Sequence, residues 1–407
     1  MFDKHRLEPL WEKINQIDWE FIGYLIIASL LALAVRVSLL SFKSVDFETY
    51  TKVWYNALQS SGYLALKDDF SNYNPPYLYL LYLVVRFLPG LDKVAAIKIP
   101  SLICDFICAG FIYKIVRLKY EKRLVAFLAY IGTLLSPTVI LNSSFWGQAD
   151  SIYTAGILAC IYFLMTKRNW FSLFSFGIAF AFKLQAIFLL PLLISMWIRK
   201  ELSWKYFLAV PVIYFFSILP AWLIGRPILN LISIYFSQAG EYNKLSSHAP
   251  TLYAWFPLGR DIFQLILPAG IAFAITVILV FILVIVKSRV KLSDNLLLEL
   301  ALLSVLVVPF VLPKMHQRYF FPADILSIAF GFYFPTYFFI PLVITVVSFF
   351  SYQYFLFGVE PFSTSNLALV TFAMLAIIIS KVIRDLYYTN NEGSEFDDQQ
   401  LTDKISP

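Results

Sequence analysis

Residues 145–153 read FWGQADSIY and stand between two long apolar runs. An indole (Trp146), an amide (Gln148) and a carboxylate (Asp150) occupy the point where a chain that crosses a membrane would turn round. Polar and ionisable groups at that depth are costly and face a cavity or a partner. The stretch raises two linked questions: how the flanking runs cross, and what else gathers around the acid.

Of the 407 residues, 60% are hydrophobic and only 14% are charged, against about 25% charge in a soluble domain. That composition predicts an all-α polytopic membrane protein. Cys104, Cys108 and Cys160 lie inside apolar runs and read as small core residues with no disulfide framework. The net charge of +6 is accounted for by membrane topology, so no nucleic-acid partner is expected. Residues 1–20 are polar and amphipathic and are followed by a run long enough to span, so no cleavable signal peptide is expected.

A spanning helix needs roughly 20 apolar residues, although broken or protein-buried helices can be shorter. The candidates are 21–42, 97–116, 124–142, 151–166, 170–182, 184–198, 206–224, 266–286, 295–312, 319–334, 337–355 and 366–384, about twelve crossings. A single helix over 170–198 would be too long, and Lys183 and Gln185 interrupt it, so two short helices are expected to meet at FKLQ. The run PPYLYLLYLVVRFL (75–88) is short, opens on Pro75-Pro76 and closes on Arg86. It reads as a helix lying at the interface with Tyr77, Tyr79 and Tyr82 at headgroup level.

With the N-terminus inside, Lys and Arg concentrate on the inner segments, as at 117–123, 167–168, 199–205, 287–291 and 381–384. This gives a cytoplasmic segment 1–20, a transmembrane unit 21–386 and a disordered acidic cytoplasmic tail 387–407 that contains NEGSEFDDQQ. The polar residues then converge on the outer side: SVDFETY (44–50), NYNPPY (72–77), WGQAD, FKLQ, the loop 225–265 with SSHAP, and PKMHQRYF (313–320). Nothing comparable is expected inside.

The outer set holds carboxylates (Asp46, Glu48, Asp150), cations (Lys183, Lys314, Arg318) and His316. Transfer from a lipid phosphate to a hydroxyl needs a carboxylate base for the acceptor. It also needs cations or hydrogen-bond donors to hold the departing phosphate where water is scarce. One carboxylate loop and one basic loop suffice, whereas a glycoside hydrolase wants two opposed carboxylates.

These segments resemble, in order and sidedness, the GT-C glycosyltransferases, multi-spanning enzymes that use polyprenyl-phosphate sugars outside the cytoplasm. SVDFETYTKVW is similar to the acidic first outer loop of that superfamily, and NYNPPYLYLLYL to the segment before its interfacial helix. WGQAD followed by SIY, FKLQAIFLLPLL and KMHQRYFFPA resemble bacterial mannosyltransferases related to the GPI mannosyltransferase 2 family. The likeness runs over about residues 20–325.

The resemblance implies a GT-C-like fold and a hexosyltransferase. It would move a sugar, mannose by these relatives, from a polyprenyl-phosphate lipid to a glycan or glycolipid acceptor. The implied membrane is a bacterial plasma membrane with the site facing outward, or the ER membrane in a eukaryote. Asp46 would be the general base, with Glu48 assisting or binding the acceptor. His316, Arg318 and Tyr319 match a His-x-Arg-Tyr pattern that contacts the donor phosphate. Many relatives carry Glu between His and Arg; Gln317 here removes that charge. Trp146, Gln148, Asp150, Lys183, Gln185, His248 and Lys314 complete the expected substrate-binding set. No cofactor and no obligatory metal are implied, an Asp46–Glu48–Asp150 cation site being the alternative.

Plainer roles stand beside these. Asp46 could cap the helix FETYTKVWYNAL, and Glu48 could suit that helix's first turn. Asp150 could cap the next span, and Trp146 could be a belt residue. Lys183 could simply pair with Asp150, and Gln185 could bond between helices. His316 and Arg318 could anchor headgroups, His248 could be exposed loop, and Asp105 could pack the bundle. A competing function is a transporter or flippase of lipid-linked sugar. That reading needs a cavity reachable from both sides, whereas a transferase should gather Asp46, Asp150 and residues 316–318 around one outward cavity.

Overall fold

The computed structural model describes residues 18–241, 243–256 and 259–388. Most of the segment 1–20 and of the tail 387–407 lies outside them. Four helices build the first part: α1 (Trp19–Leu39), α2 (Lys52–Ser61), α3 (Pro75–Phe87) and α4 (Lys93–Lys119). Next come α5 (Arg123–Leu135), α6 (Pro137–Ile140), α7 (Asp150–Met165), α8 (Asn169–Phe182), α9 (Leu190–Ile198) and α10 (Ala209–Leu223). The rest holds α11 (Ile228–Glu241), α12 (Arg260–Lys287), α13 (Asp294–Val311), α14 (Phe321–Tyr333), α15 (Phe339–Phe357) and α16 (Thr364–Tyr387). Two short strands, β1 (Ser246–Ser247) and β2 (Met315–His316), pair in parallel.

Seven helices among the described residues are long and apolar enough to cross a membrane, and α5 with α6 and its continuation to Trp146 would make an eighth, bent by 46°. The chain is an integral membrane protein. Every run predicted to cross is occupied by helix, but several are short: α7 has 16 residues, α8 has 14 and α14 has 13. Short and broken helices are tolerated at membrane depth when protein covers them. α13 is apolar nearly all round, the pattern of a buried helix. Its residues from Leu296 to Val311 are all buried, against α7, α9, α14 and α16 among others.

The breaks have local causes. Ser136 sits at φ −58°, ψ 125° because the residue before a proline, here Pro137, is pushed out of the helical region. Lys183 is extended at φ −155°, ψ 134° between α8 and a tight turn over Leu184–Leu189, so the two-helix reading of 170–198 holds. α7 and α8 pack closely at Gly156, where an added Cβ would lie 2.8 Å from the Ala179 Cβ and 2.9 Å from the Ser175 carbonyl oxygen.

Three expectations need correction. α3 forms, but Tyr77 is not offered to headgroups. Tyr77 is buried beneath Trp54 of α2, and Leu78 and Leu81 pack into the same apolar cluster. The segment 225–265 is not simply loop, for α11 fills part of it. Finally, the end opposite the site has a buried charge cluster of its own. Lys381, counted as a topogenic loop charge, donates to Glu299 at 2.7 Å and to Asp385 at 2.6 Å and lies over the Phe334 ring. At a helix–helix contact in an apolar bundle, a lysine finds carboxylates rather than water.

Replacing Gly156 by Val should force α7 and α8 apart. Overpacking of this kind costs about 1–3 kcal/mol, so the variant's thermal midpoint in detergent should fall well below that of wild type, with Gly156→Ala intermediate. Midpoints equal to wild type would show that the contact yields freely.

Candidate active site

Five segments meet at one end of the bundle. The first leaves α1 and carries Asp46. Lys98 of α4 donates to the carbonyls of Leu40 at 3.0 Å and Phe42 at 2.8 Å, pinning this stretch from below. The Ser44 hydroxyl donates to the Trp146 carbonyl at 2.8 Å and accepts from the Phe47 N–H at 3.2 Å. Asp46 then precedes a wide helical turn over Phe47–Thr51, a form that recurs at functional sites. Asp46 makes no capping bond, so its capping role is set aside.

The second segment is FWGQADSIY. A second wide turn, Leu141–Trp146, ends at Gly147 with φ 83°, a left-handed value that glycine adopts without strain. The Asn142 carbonyl accepts from the N–H groups of Gly147 at 3.1 Å and Gln148 at 2.9 Å. This fold-back aims two donors at one oxygen: Trp146 Nε1 reaches Asp46 Oδ2 at 3.0 Å, and Gln148 Nε2 donates to the same atom. Trp146 is 1% exposed, stacked on Phe355 and edge-on to Tyr352, which corrects its reading as a belt residue.

Asp150 starts α7, but Ala149 is the cap position, and the carboxylate is used elsewhere. It accepts from Asn142 Nδ2 at 2.9 Å and from Lys183 Nζ. Both charges are buried, at 0% and 9% side-chain exposure. The Lys183 ammonium also lies 5.6 Å from the Tyr73 ring centroid and 5.7 Å from that of Tyr153. The expected pair therefore forms, as a held cation rather than a snorkelling one. NYNPPY is fastened here too, since Asn74 Nδ2 donates to the Ala181 carbonyl at 2.7 Å.

The last segment is PKMHQRYF. Arg318 lies 5.7 Å from the Trp146 ring centroid, so one indole holds the acid by its edge and faces the cation. Burial, with the charges of Arg318 and Lys183 nearby, pushes His316 from its ordinary 6.5 down to about 2. It is a neutral ring, and the cationic character belongs to Arg318, Lys183 and Lys314.

Two cavities share Asn72, Tyr73 and Arg318. One, of about 280 Å³, is lined by Asp46, Tyr50, Trp54, Gln148 and His316. The other, of about 420 Å³, adds Lys183, Gln185, Gln238, Lys314 and Tyr319 to its polar lining, with apolar walls from Phe182, Leu267, Ile271 and Leu312. The structure thus gathers Asp46, Trp146, Gln148, Asp150, Lys183, Gln185, Lys314, His316, Arg318 and Tyr319. It leaves two expected residues aside. Glu48 lines neither cavity and pairs with Lys52 at 2.6 Å, each about half exposed. His248 stacks on Tyr354 at 3.6 Å and lines a separate concavity with Lys244 and Glu360. The three carboxylates do not form one group, because Glu48 is tied to Lys52 and Asp150 to Lys183, so the Asp46–Glu48–Asp150 cation site fails.

The sequence reading did not anticipate Asn142, Lys98 or Arg36. Arg36 Nε donates to Asp105 Oδ2 at 2.9 Å, and Ser143 Oγ donates to the same oxygen at 2.6 Å. A charge inside an apolar run is the signal that flags Arg36 and Lys98; nothing comparable marks Asn142.

Compared with solved structures, the chain is similar to ArnT from Cupriavidus metallidurans bound to undecaprenyl phosphate. The TM-score is 0.54 at 12% sequence identity, over 95% of this chain and 81% of that one. The chain has the GT-C fold. The apo state of the same ArnT matches with a TM-score of 0.48 at the same identity and coverage. No protein-family model and no curated protein matches the chain.

Two predictions follow from this geometry. Breaking a buried ion pair by removing one partner costs about 3–5 kcal/mol. Asp150→Asn and Lys183→Met should each destabilise the protein by that order, and the double variant by less than their sum, read from unfolding in detergent. Additive losses would mean the pair is not coupled. The second concerns His316. The unfolded ring takes up a proton near 6.5 but the folded ring only at far lower pH, so the folded state loses stability as pH falls through and below 6.5. His316→Asn should lose less stability than wild type between pH 7 and pH 5; equal losses would mean that His316 titrates normally.

Proposed function

We propose that this protein transfers a sugar from a polyprenyl-phosphate carrier to an acceptor hydroxyl. The observation that carries the reading is the shared Arg318 wall. On one side lies a cavity with a single oriented carboxylate, and on the other a groove that combines cations with an apolar lining. That pairing suits a sugar poised between a base and a lipid phosphate. The undecaprenyl phosphate bound to a protein of the same fold supports the lipid carrier.

In this reading Asp46 takes the acceptor hydroxyl's proton. The hydroxyl oxygen bonds to the anomeric carbon as that carbon's bond to the phosphate oxygen breaks, and the electron pair leaves with the phosphate. Trp146 and Gln148 both bond to Oδ2, so neither holds Oδ1, and the carboxylate is oriented before substrate arrives. Arg318, Lys183 and Lys314 hold the charge of the departing polyprenyl phosphate in a site with little water, and Tyr319 and neutral His316 offer hydrogen bonds. Gln185 lines the donor groove. The step as written calls for no metal. Mannose as the sugar, and a glycan or glycolipid as the acceptor, follow the resemblance to bacterial mannosyltransferases. The site would face away from the cytoplasm, because Lys and Arg concentrate at the other end. By the same resemblance, the membrane would be a bacterial plasma membrane, or the ER membrane if the protein is eukaryotic. A transporter is not favoured. The concavity at the opposite end, lined by Lys167, Arg199 and Arg289, shares no lining residue with the two cavities.

The test is purified protein in nanodiscs with radiolabelled polyprenyl-phosphate sugars and a crude membrane glycolipid fraction. Asp46→Asn should lower transfer about 10²–10⁴-fold without loss of folding. Arg318→Ala should weaken donor use by about 10–100-fold, the worth of a hydrogen bond to a charged group. Transfer that survives in Asp46→Asn would remove Asp46 as the base.

A further inference from the structure

A third groove, of about 680 Å³, runs between α2 and α11. It shares Thr49, Tyr50, Trp54 and Asn72 with the cavity that holds Asp46. The separate concavity around His248 shares no lining residue with that cavity, whereas this groove continues to the carboxylate.

Its chemistry differs from that of the donor groove. Ser71, Asn230, Ser233, Ser237 and Gln238 supply hydroxyls and amides, and among the described residues no lysine, arginine or histidine lines it. The one charged lining residue, Asp69, accepts from the buried Arg226 guanidinium. α11 is built for this position, with three stripes at helical spacing. Leu231 and Tyr235 are buried in the bundle. Leu229, Ile232 and Phe236 are exposed at 76%, 50% and 80%, as suits a lipid-facing edge. Asn230, Ser233 and Ser237 fall between these stripes, on the groove. Gln238 fixes the helix by donating to the Asn72 carbonyl.

We infer that the groove between α2 and α11 seats an uncharged saccharide, the acceptor, and delivers one of its hydroxyls to Asp46. Hydroxyls and amides that both donate and accept match a polyol, and Tyr50 and Trp54 add aromatic lining. An anionic acceptor would meet Asp69 and no cation. The inference rests on the transferase reading and adds to it the acceptor's class and path.

The test uses the full chain in nanodiscs with two probes, undecaprenyl phosphate and a diazirine derivative of maltose. Cross-links are mapped by mass spectrometry. Wild type should gain thermal stability with undecaprenyl phosphate, and the saccharide should label residues 69–72 and 228–238 saturably. Ser233→Trp, and independently Ser237→Trp, should cut that labelling by at least about tenfold while keeping the undecaprenyl-phosphate shift. Labelling centred on 243–264, labelling that does not saturate, no labelling, or labelling unchanged in both variants would each overturn the groove assignment. Absence of any undecaprenyl-phosphate shift in wild type would instead remove the transferase reading and the groove's role with it.

Discussion

The buried pair between Lys183 and Asp150 organises this end of the molecule. Neither charge can stay in an apolar bundle alone, and removing either leaves the other uncompensated. Lys183 can reach Asp150 only because the chain between α8 and α9 breaks into an extended residue instead of continuing as helix. Asp150 is available because Asn142 holds its other oxygen and the cap position falls to Ala149. One electrostatic requirement therefore fixes the break in one helical hairpin, the turn of the next, and the cation at the edge of the groove.

A second layer of polar contacts keeps the carboxylate and the cations apart yet close. Trp146 is the partition: its N–H is bonded to Asp46, and its ring face is turned to Arg318. Arg36, Asp105, Ser143 and Lys98 lie beneath. They stitch the end of α1 and the turn before Gly147 to α4, so the acid stands on braced backbone rather than on a free loop. Groups fixed in this way cost little reorganisation when charge develops. A neutral His316 fits the same plan, since a third positive charge beside Arg318 and Lys183 would be repelled.

The three grooves divide the chemistry by composition. Cations with apolar walls line one, a lone carboxylate with aromatic rings another, and hydroxyls with amides the third. They meet at Asn72, in a segment that Asn74 and Gln238 fasten from two directions. The short helices α7 and α8 frame this junction, with Asp150 at the start of one and Lys183 at the end of the other.

By itself the sequence determined the class of protein, its apolar runs and the loops that converge. Segment length, Pro and Gly positions and Lys/Arg bias are local properties, and in an apolar solvent they leave few alternatives. FKLQ, WGQAD and PKMHQRYF were legible because polar side chains between apolar runs are conspicuous there. Tertiary structure alone decided the partners. Trp146 looked like a belt residue and is a buried donor to Asp46. Glu48 looked like a second acid and is a half-exposed partner of Lys52. Lys381 looked like a loop charge and is buried against Glu299. Asn142 gave no signal at all, since an asparagine is common anywhere, and α11 was hidden inside a segment read as loop. Which polar groups satisfy one another depends on helix rotation and crossing, and those are set by packing across residues far apart in the chain, not by any local stretch of it.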